Sequence, residues 1–540
     1  MADHGHPVIW PRSRHRERGQ LMLMVGADQA ERPFVVALDA GTSSVRALAF
    51  DRRGRAISGT ETQIVYELTT TPDGGAEMDP LALCDLLARC VDGTLDALKP
   101  ATNEIAAVAM SCFWHSIVGV DNAGFPVTPV FYWADTRSAS HAEALREELN
   151  ENAVHARTGC VFHSSYWPAK LRWLRETQPE RYHAAARWTS FADFALRRFL
   201  GIDQMSLCMA AGTGLLQAVS GTWDTDLLKV IGIDASTLPP LVDRDRATVG
   251  LTRAFAERWP ALAQIPWLPP LGDGACANLG SGAIAPDRIA LTVGTTGAVR
   301  VIVPSPVGVP LAVPRDLWAY RLDRHRVVLG AAISNGGLLL SWLAELLRSP
   351  LDGDDVARAG TLAPDSHGLT ILPFLAGERS PIWNDRATAV IAGLTLHTRR
   401  EQIIRAAMES VAYRFSRLHD ALREVALPDH QIVANGAAIL RSPAWLQITA
   451  DVLAHPLLAL PPGDEASARG AAVAALDALG LAPLGSTDDP AMGASLIRPN
   501  AAHFAAYQAG RNRQEHLEHL LFPRGGGWDT SLGARNTHHA

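Results

Sequence analysis

Two short stretches place glycine and hydroxyl residues where an apolar run ends. They are Gly41-Thr42-Ser43-Ser44 after "FVVALDA" and Gly294-Thr295-Thr296-Gly297 after "RIALTV". Backbone N–H groups and hydroxyls gathered on a tight turn make a nest for phosphate oxygens. A nucleotide P-loop would need G-x-x-x-x-G-K-[ST] running into a helix, and no stretch of the chain reads that way. Each turn is followed instead by a second apolar run, "VRALAF" or "AVRVIV", so each is read as a strand–turn–strand hairpin with phosphate at its tip. Aligning Gly41 with Gly294 sets Thr42 on Thr295, Ser43 on Thr296 and Asp39 on Thr292. Only the first copy keeps a carboxylate, as expected if Asp39 steers one divalent cation while the second copy holds bare phosphate oxygens. Alone, either turn reads as an ordinary hairpin. The matched pair suggests a duplicated domain whose halves face one nucleotide.

A third element fits the same ligand. "IVANGAAILRSPAWLQITADVL" reads as a strand ending in Asn435-Gly436-Ala437-Ala438, where small side chains let a flat ring approach the backbone. Ser442 is then an N-cap with Pro443 at the first helical position, and Trp445, Ile448 and Val452 share one helix face. Taken by itself this is a strand–loop–helix crossover.

The elements that must position these groups read as α/β throughout. "AISGTETQIVY" is expected as a third strand after the first hairpin. In "LHTRREQIIRAAMESVAYRFSRLHDALREV", Thr398 and Glu401 are expected to form a capping box. The apolar stripe through Ile404, Ala407, Val411, Phe415, Leu418 and Leu422 makes that helix core rather than chemistry. A chain of 540 residues is too long for one ordinary core, so two domains are expected. Its 47% hydrophobic and 19% charged residues describe a globular protein, and a net charge of -7 gives no footprint for nucleic acid. The six cysteines show no C-x-x-C pair, which fits reduced, packed thiols in the cytoplasm. No apolar run has the ~20 residues of a membrane span. Residues 1–33 read as a disordered leader, with Met22 and Met24 as alternative starts, and 523–540 as a flexible tail.

In this order the three motifs resemble the superfamily of sugar kinases, actin and chaperone ATPases. The implied fold is α/β, with two ribonuclease H-like (actin-like ATPase) domains and an interdomain cleft. "PPLGDGACANLGSG" narrows the resemblance, because Gly272-Asp273-Gly274 stands just before the second hairpin as in the FGGY carbohydrate kinases. The likeness runs from about Phe34 to Phe522 and divides the chain into an N-terminal domain, 34–282, and a C-terminal domain, 283–522. Ala389 departs from it, where a glycine is expected near a turn. Within the family, "FWHSIVGVDNAGFPVTPVFYWADTRS" and "RTGCVFHSSYWPAKLRWL" are most similar to gluconate kinases, although xylulose and ribulose kinases share much of this text.

The resemblance implies ATP as donor, Mg²⁺ as its companion and a small sugar or sugar acid, foremost D-gluconate, as acceptor. Asp273 would take the proton of the attacking hydroxyl, ionised at neutral pH if its pKa stays near the ordinary ~3.9. Asp39 would hold Mg²⁺ through water. Gly41, Thr42, Ser43, Gly294, Thr295 and Thr296 would grip phosphate, and Gly436 and Ala437 would border the adenine. Trp114, His115, Asp135 and Arg137 are the sugar candidates, with Arg137 offering a planar fork for a carboxylate. Arg46 is open to two readings, a reach to the transferred phosphate or an ion pair on a strand. Lys170 is open likewise, as a substrate cation or a solvated helix charge. No membrane partner is expected, and a homodimer is compatible with the sequence. The rival from another class is an actin- or chaperone-like conformational ATPase. It gives no account of Gly272-Asp273-Gly274 beside Trp114-His115 and Trp133-Ala134-Asp135.

Overall fold

Both hairpins lie in the middle of a sheet, and the two sheets repeat one plan. The structure is a computed structural model that describes residues 23–348, 353–463 and 465–523. In the first sheet β1 (Phe34–Ala40) pairs antiparallel with β2 (Ser44–Phe50), and β2 pairs with β3 (Thr62–Val65). On its other side β1 runs parallel to β4 (Ile105–Cys112), which is parallel to β5 (Leu271–Gly272). In the second sheet β6 (Arg288–Val293) pairs antiparallel with β7 (Gly297–Pro304), followed outward by β9 (Arg326–Ile333) and β8 (Trp318–Arg321). There β6 runs parallel to β10 (Gln431–Asn435), which is parallel to β11 (Leu457–Ala459). Among the described residues each sheet counts seven strands. The two glycine–hydroxyl turns therefore occupy one topological position, at the tips of β1–β2 and β6–β7. The first is a residue longer: Ala40 opposes Val45, whereas Val293 opposes Gly297.

Several expectations need correction. The third strand splits into Ala56–Ile57 and β3, because Thr60 turns the chain between them by donating its hydroxyl to the Ile57 carbonyl at 2.7 Å. The expected leader is partly structured. Met24–Val25 pairs parallel with Ala56–Ile57, and Val25 is buried, so this short strand extends the first sheet. The rest of the leader, 1–22, and positions 524–540 of the tail lie outside the described residues. Helix α4 (Arg400–Leu422) begins one residue later than a Thr398 cap requires. The Gln402 side chain accepts from the Arg399 N–H at 2.8 Å, while Thr398 accepts from the Thr395 N–H at 2.9 Å. Helix α5 (Pro443–Leu453) starts as read, with the Ser442 hydroxyl accepting from the Trp445 N–H. All six cysteines are buried and unpaired with one another.

The two halves are joined by a helix crossing that places the catalytic candidate. Helix α2 (Asp273–Gly280) leaves the end of β5, and α6 (Ala466–Ala478) comes back from the second half to the core of the first. The axes meet backbone to backbone. A Cβ on Gly470 would lie 1.8 Å from the Cys276 carbonyl oxygen, and one on Gly280 would lie 1.8 Å from that of Ala466. Close-packed interiors do not absorb such an insertion cheaply. Gly470→Ala is expected to destabilise the protein by about 3 kcal/mol or more, read as a lowered urea midpoint. A loss below about 1 kcal/mol would mean that the helices part freely.

Candidate active site

The ends of β1, β4 and β5 in one sheet face the ends of β6, β7 and β9 in the other across a cavity of about 160 Å³. Thr42 and Thr296 line it from the two hairpins, and Asp273 lines it from the first turn of α2. Both phosphate turns are braced from behind. The Gly41 N–H bonds the Ser44 carbonyl at 2.9 Å, and the Gly294 N–H bonds that of Thr296 at 2.9 Å. Sequence reasoning missed a brace on the second turn, the loop Asn335-Gly336-Gly337 that ends β9. The Gly336 N–H donates to Thr295 O at 3.0 Å and the Gly337 N–H to Gly294 O at 2.8 Å. "SNGGLLL", glycines after an apolar strand, was the available signal. Gly436 closes the same floor. Its φ is +97°, and a Cβ there would lie 2.5 Å from the Val293 carbonyl oxygen, so only glycine fits. Ala437, next to it, is exposed. The small-residue loop 435–438 thus stands against the base of the second hairpin.

Asp273 departs from the ordinary carboxylate expected of it. Burial raises its pKa to about 6, opposed by the positive charge of Arg300 and by the Gly274 N–H, which donates to Oδ1 at 2.7 Å. Asp39, buried at the end of β1, adds like-charge repulsion, and burial raises its own pKa too. Arg46 lies beside it, with Nε at 3.6 Å from Oδ2. Arg46 also pairs with Glu465, so the ion-pair reading of that residue describes the structure. Two carboxylates, Asp39 buried and Asp273 half-buried, with the charge of the first disfavouring that of the second, form a donor set suited to a hard divalent cation.

The sugar candidates divide. Trp114 and His115 both line the cavity. Trp114 is fixed by donating Nε1 to the Cys208 carbonyl at 2.9 Å, and His115 by a 2.5 Å contact of Nδ1 with the Gly212 carbonyl. Burial pushes the His115 pKa down to about 3, so it is a neutral hydrogen-bonding group. Asp135 and Arg137 do not line the cavity. Arg137 is bound to Asp135 at 2.5 Å and Glu77 at 2.7 Å, with its guanidinium over the rings of Trp173 and Phe131. Asp135 also accepts the Ala76 N–H at 3.1 Å. The expected carboxylate fork is thus consumed in a structural pair. Lys170 is neither a solvated charge nor a cavity residue. It is buried, donates to the carbonyls of Ser164 (2.7 Å) and Asp135 (3.0 Å), and burial lowers its pKa to about 8.

The cations of the cavity are Arg300 on β7 and Arg379 in the loop "AGERSP". Among the described residues neither has an ion-pair partner within 4 Å. Burial lowers both pKa values, that of Arg300 to about 10. Trp133, Ser165 and Tyr166 from the first half and Trp318, Tyr320 and Trp383 from the second complete the wall. The halves touch there, through Tyr166 and Tyr320 hydroxyls 2.5 Å apart and through His163 Nε2 at 2.9 Å from Asp385.

A duplicated sheet, paired glycine–hydroxyl hairpins and a half-buried carboxylate at the polar cavity between them fit a phosphotransferase of the actin-like fold. The chain belongs to the FGGY family of carbohydrate kinases: residues 34–280 match the family's N-terminal domain and 289–479 its C-terminal domain. It is 28% identical to a gluconokinase of Bacillus subtilis, over 83% of this chain and 88% of that one. It is 31% identical to a xylulose kinase of Streptomyces rubiginosus over the same shares. The gluconate kinase structure from Lactobacillus acidophilus superposes with a TM-score of 0.82 at 25% identity, covering 91% of this chain and 99% of that one. Among the described residues no helix is long and apolar enough to cross a membrane.

Proposed function

We propose that the protein phosphorylates a sugar acid, D-gluconate to 6-phosphogluconate, with ATP as donor and Asp273 as general base. The observation that carries the substrate is the charge of the cavity: one carboxylate against two arginines, with His115 neutral. An uncompensated guanidinium in a closed site is costly unless an anion arrives with the ligand. The gluconokinase and gluconate kinase relatives agree with this reading. The xylulose kinase relative keeps a neutral pentulose as the second one.

Phosphoryl transfer has a loose transition state, so the residues act by alignment and charge. Thr42, Ser43, Thr295 and Thr296 hold phosphate oxygens with hydroxyls and N–H groups. Gly436 and Ala437 border the adenine. Asp39 would hold Mg²⁺ through water, and when bound the ion would neutralise phosphate charge. Asp273 accepts the proton of the attacking hydroxyl, which Trp114 and His115 help to seat.

The test is a coupled ADP-release assay over gluconate, xylulose, ribulose and glycerol. Gluconate should lead in kcat/KM by about tenfold or more, since a neutral acceptor leaves a half-buried cation unpaired. ADP release should require added sugar. A neutral ketose leading by about tenfold sinks the gluconate assignment, and brisk release without sugar favours a conformational ATPase.

A further inference from the structure

We propose that Arg300 is the residue that reads the acceptor's carboxylate, while Arg379 serves the transferred phosphate. The assignment rests on the sugar-acid reading above and divides labour between two cations that line the same cavity.

Position separates them. Arg379 lies between the two phosphate hairpins. Its guanidinium stands 4.8 Å over the Trp133 ring, and Trp133 donates Nε1 to the Thr42 hydroxyl at 3.2 Å. On the other side Arg379 donates Nη2 to the Ile333 carbonyl at 3.3 Å, and Ile333 is the β9 residue opposite Gly297, next to Thr296. Arg300 is set back. It lies four residues beyond Thr296, about 13 Å down a strand at ~3.3 Å per residue, and it shares with Ala298 the β7 face that lines the cavity. Its Nε is close to helix α2, where a Cβ on Gly274 would come within 2.9 Å of it. The long side chain is thus laid beside Asp273, on the acceptor's side of the base.

Neither guanidinium is fully met by the protein. Arg379 has a carbonyl, an aromatic face and the charge of the neighbouring Glu378, while its Nε is buried with no hydrogen-bond partner among the described residues. The only hydrogen bond of the Arg300 guanidinium among the described residues is a long one, from Nη1 to the Thr292 hydroxyl at 3.5 Å. That leaves most of its five donors, in the planar arrangement that matches a carboxylate. Thr292 is the position that aligns with Asp39 of the first hairpin. An acid here would pair with Arg300, and threonine leaves the cation for the ligand.

The experiment compares D-gluconate with D-gluconamide, which keeps the hydroxyl chain and loses the charge. It is run at pH 8, where Asp273 is ionised in every variant that keeps a nearby cation. Wild type should favour the acid in kcat/KM by about tenfold or more, the value of a charge-assisted pair over a neutral one. In Arg300→Met the preference should shrink to within about threefold, while KM for ATP stays near wild type. Arg300→Lys keeps the charge and guards against misfolding; it should retain an intermediate preference. Arg379→Met should depress both acceptors by a common factor. Equal losses on acid and amide in Arg300→Met would overturn the assignment, as would a collapse of the preference in Arg379→Met instead. A wild type that prefers a neutral ketose is seen before any variant is made and sinks the substrate reading by itself.

Discussion

Replacing Asp273 with asparagine is expected to lower kcat by at least about 10²-fold while leaving ATP binding near wild type. The side chain keeps its shape, so the Gly274 N–H and the start of α2 should be undisturbed. What is lost is the basicity that the proposed reaction needs to take the hydroxyl proton. The two turns proposed to hold phosphate lie on other strands and are braced by their own backbone bonds, so ATP binding should survive. Stability should move the opposite way. A carboxylate whose pKa rises from an ordinary 3.8 to about 6 is held ionised at a cost to the fold, as much as roughly 2–3 kcal/mol at pH 7 to 8. The amide escapes that cost, so the variant should melt higher than wild type at pH 8, the expected sign where function requires a destabilised group. Near-normal turnover with an unchanged melting temperature would make Asp273 an ordinary turn residue.

How much of this was legible in the sequence depends on whether a group acts locally. The hairpins were readable because each is one contiguous run: apolar strand, small turn, apolar strand. Thr42 and Thr296 both line the cavity, although the alignment sets Thr42 on Thr295 and Ser43 on Thr296, and neither Ser43 nor Thr295 reaches it. Ser442 and Pro443 announced a helix start for the same reason, since capping is settled within four residues. Arg137 shows where such reading stops. Nothing in "WADTRS" reveals that Glu77 lies across a short strand pair, ready to consume the guanidinium. Lys170 was ambiguous because an amphipathic pattern does not say which carbonyls will face a buried ammonium. Arg300 and Arg379 were passed over for a related reason. One sits in an apolar strand and the other in a loop, and only the apposition of two sheets puts both beside Asp273. Helix α6 carried no sign that it would return to the first core. Its alanines and Gly470 look like any small-residue helix until Gly280 is placed beneath it.

The raised pKa of Asp273 makes a second large effect testable without any substitution. The base works only as the carboxylate, so kcat/KM should be level above about pH 7 and fall about tenfold per pH unit below about 6. From the plateau to pH 4 that amounts to about a hundredfold. The profile is best taken with ATP well below saturation, so that it reports the free enzyme before the phosphates add their own negative charge. Unfolding offers a competing explanation of an acid limb, and the sign of the linkage separates the two. The folded-state pKa lies above the unfolded value, so between about pH 4 and 6 the folded protein binds the proton more tightly. The Asp273 contribution to stability therefore grows as pH falls through that window, while activity drops. Activity lost below pH 6 with the melting temperature held, and restored on returning to pH 7.5, is the expected outcome. Arg300 supplies the internal control, because its charge is the main force holding the Asp273 pKa down against burial. In Arg300→Met the acid limb should move to higher pH, whereas Arg137→Met, acting on a pair outside the cavity, should leave it in place. A limb that stays near the ordinary carboxylate value of 3.8 in wild type, or that ignores Arg300, would separate the titration from Asp273 and leave the base to be sought elsewhere in the cavity.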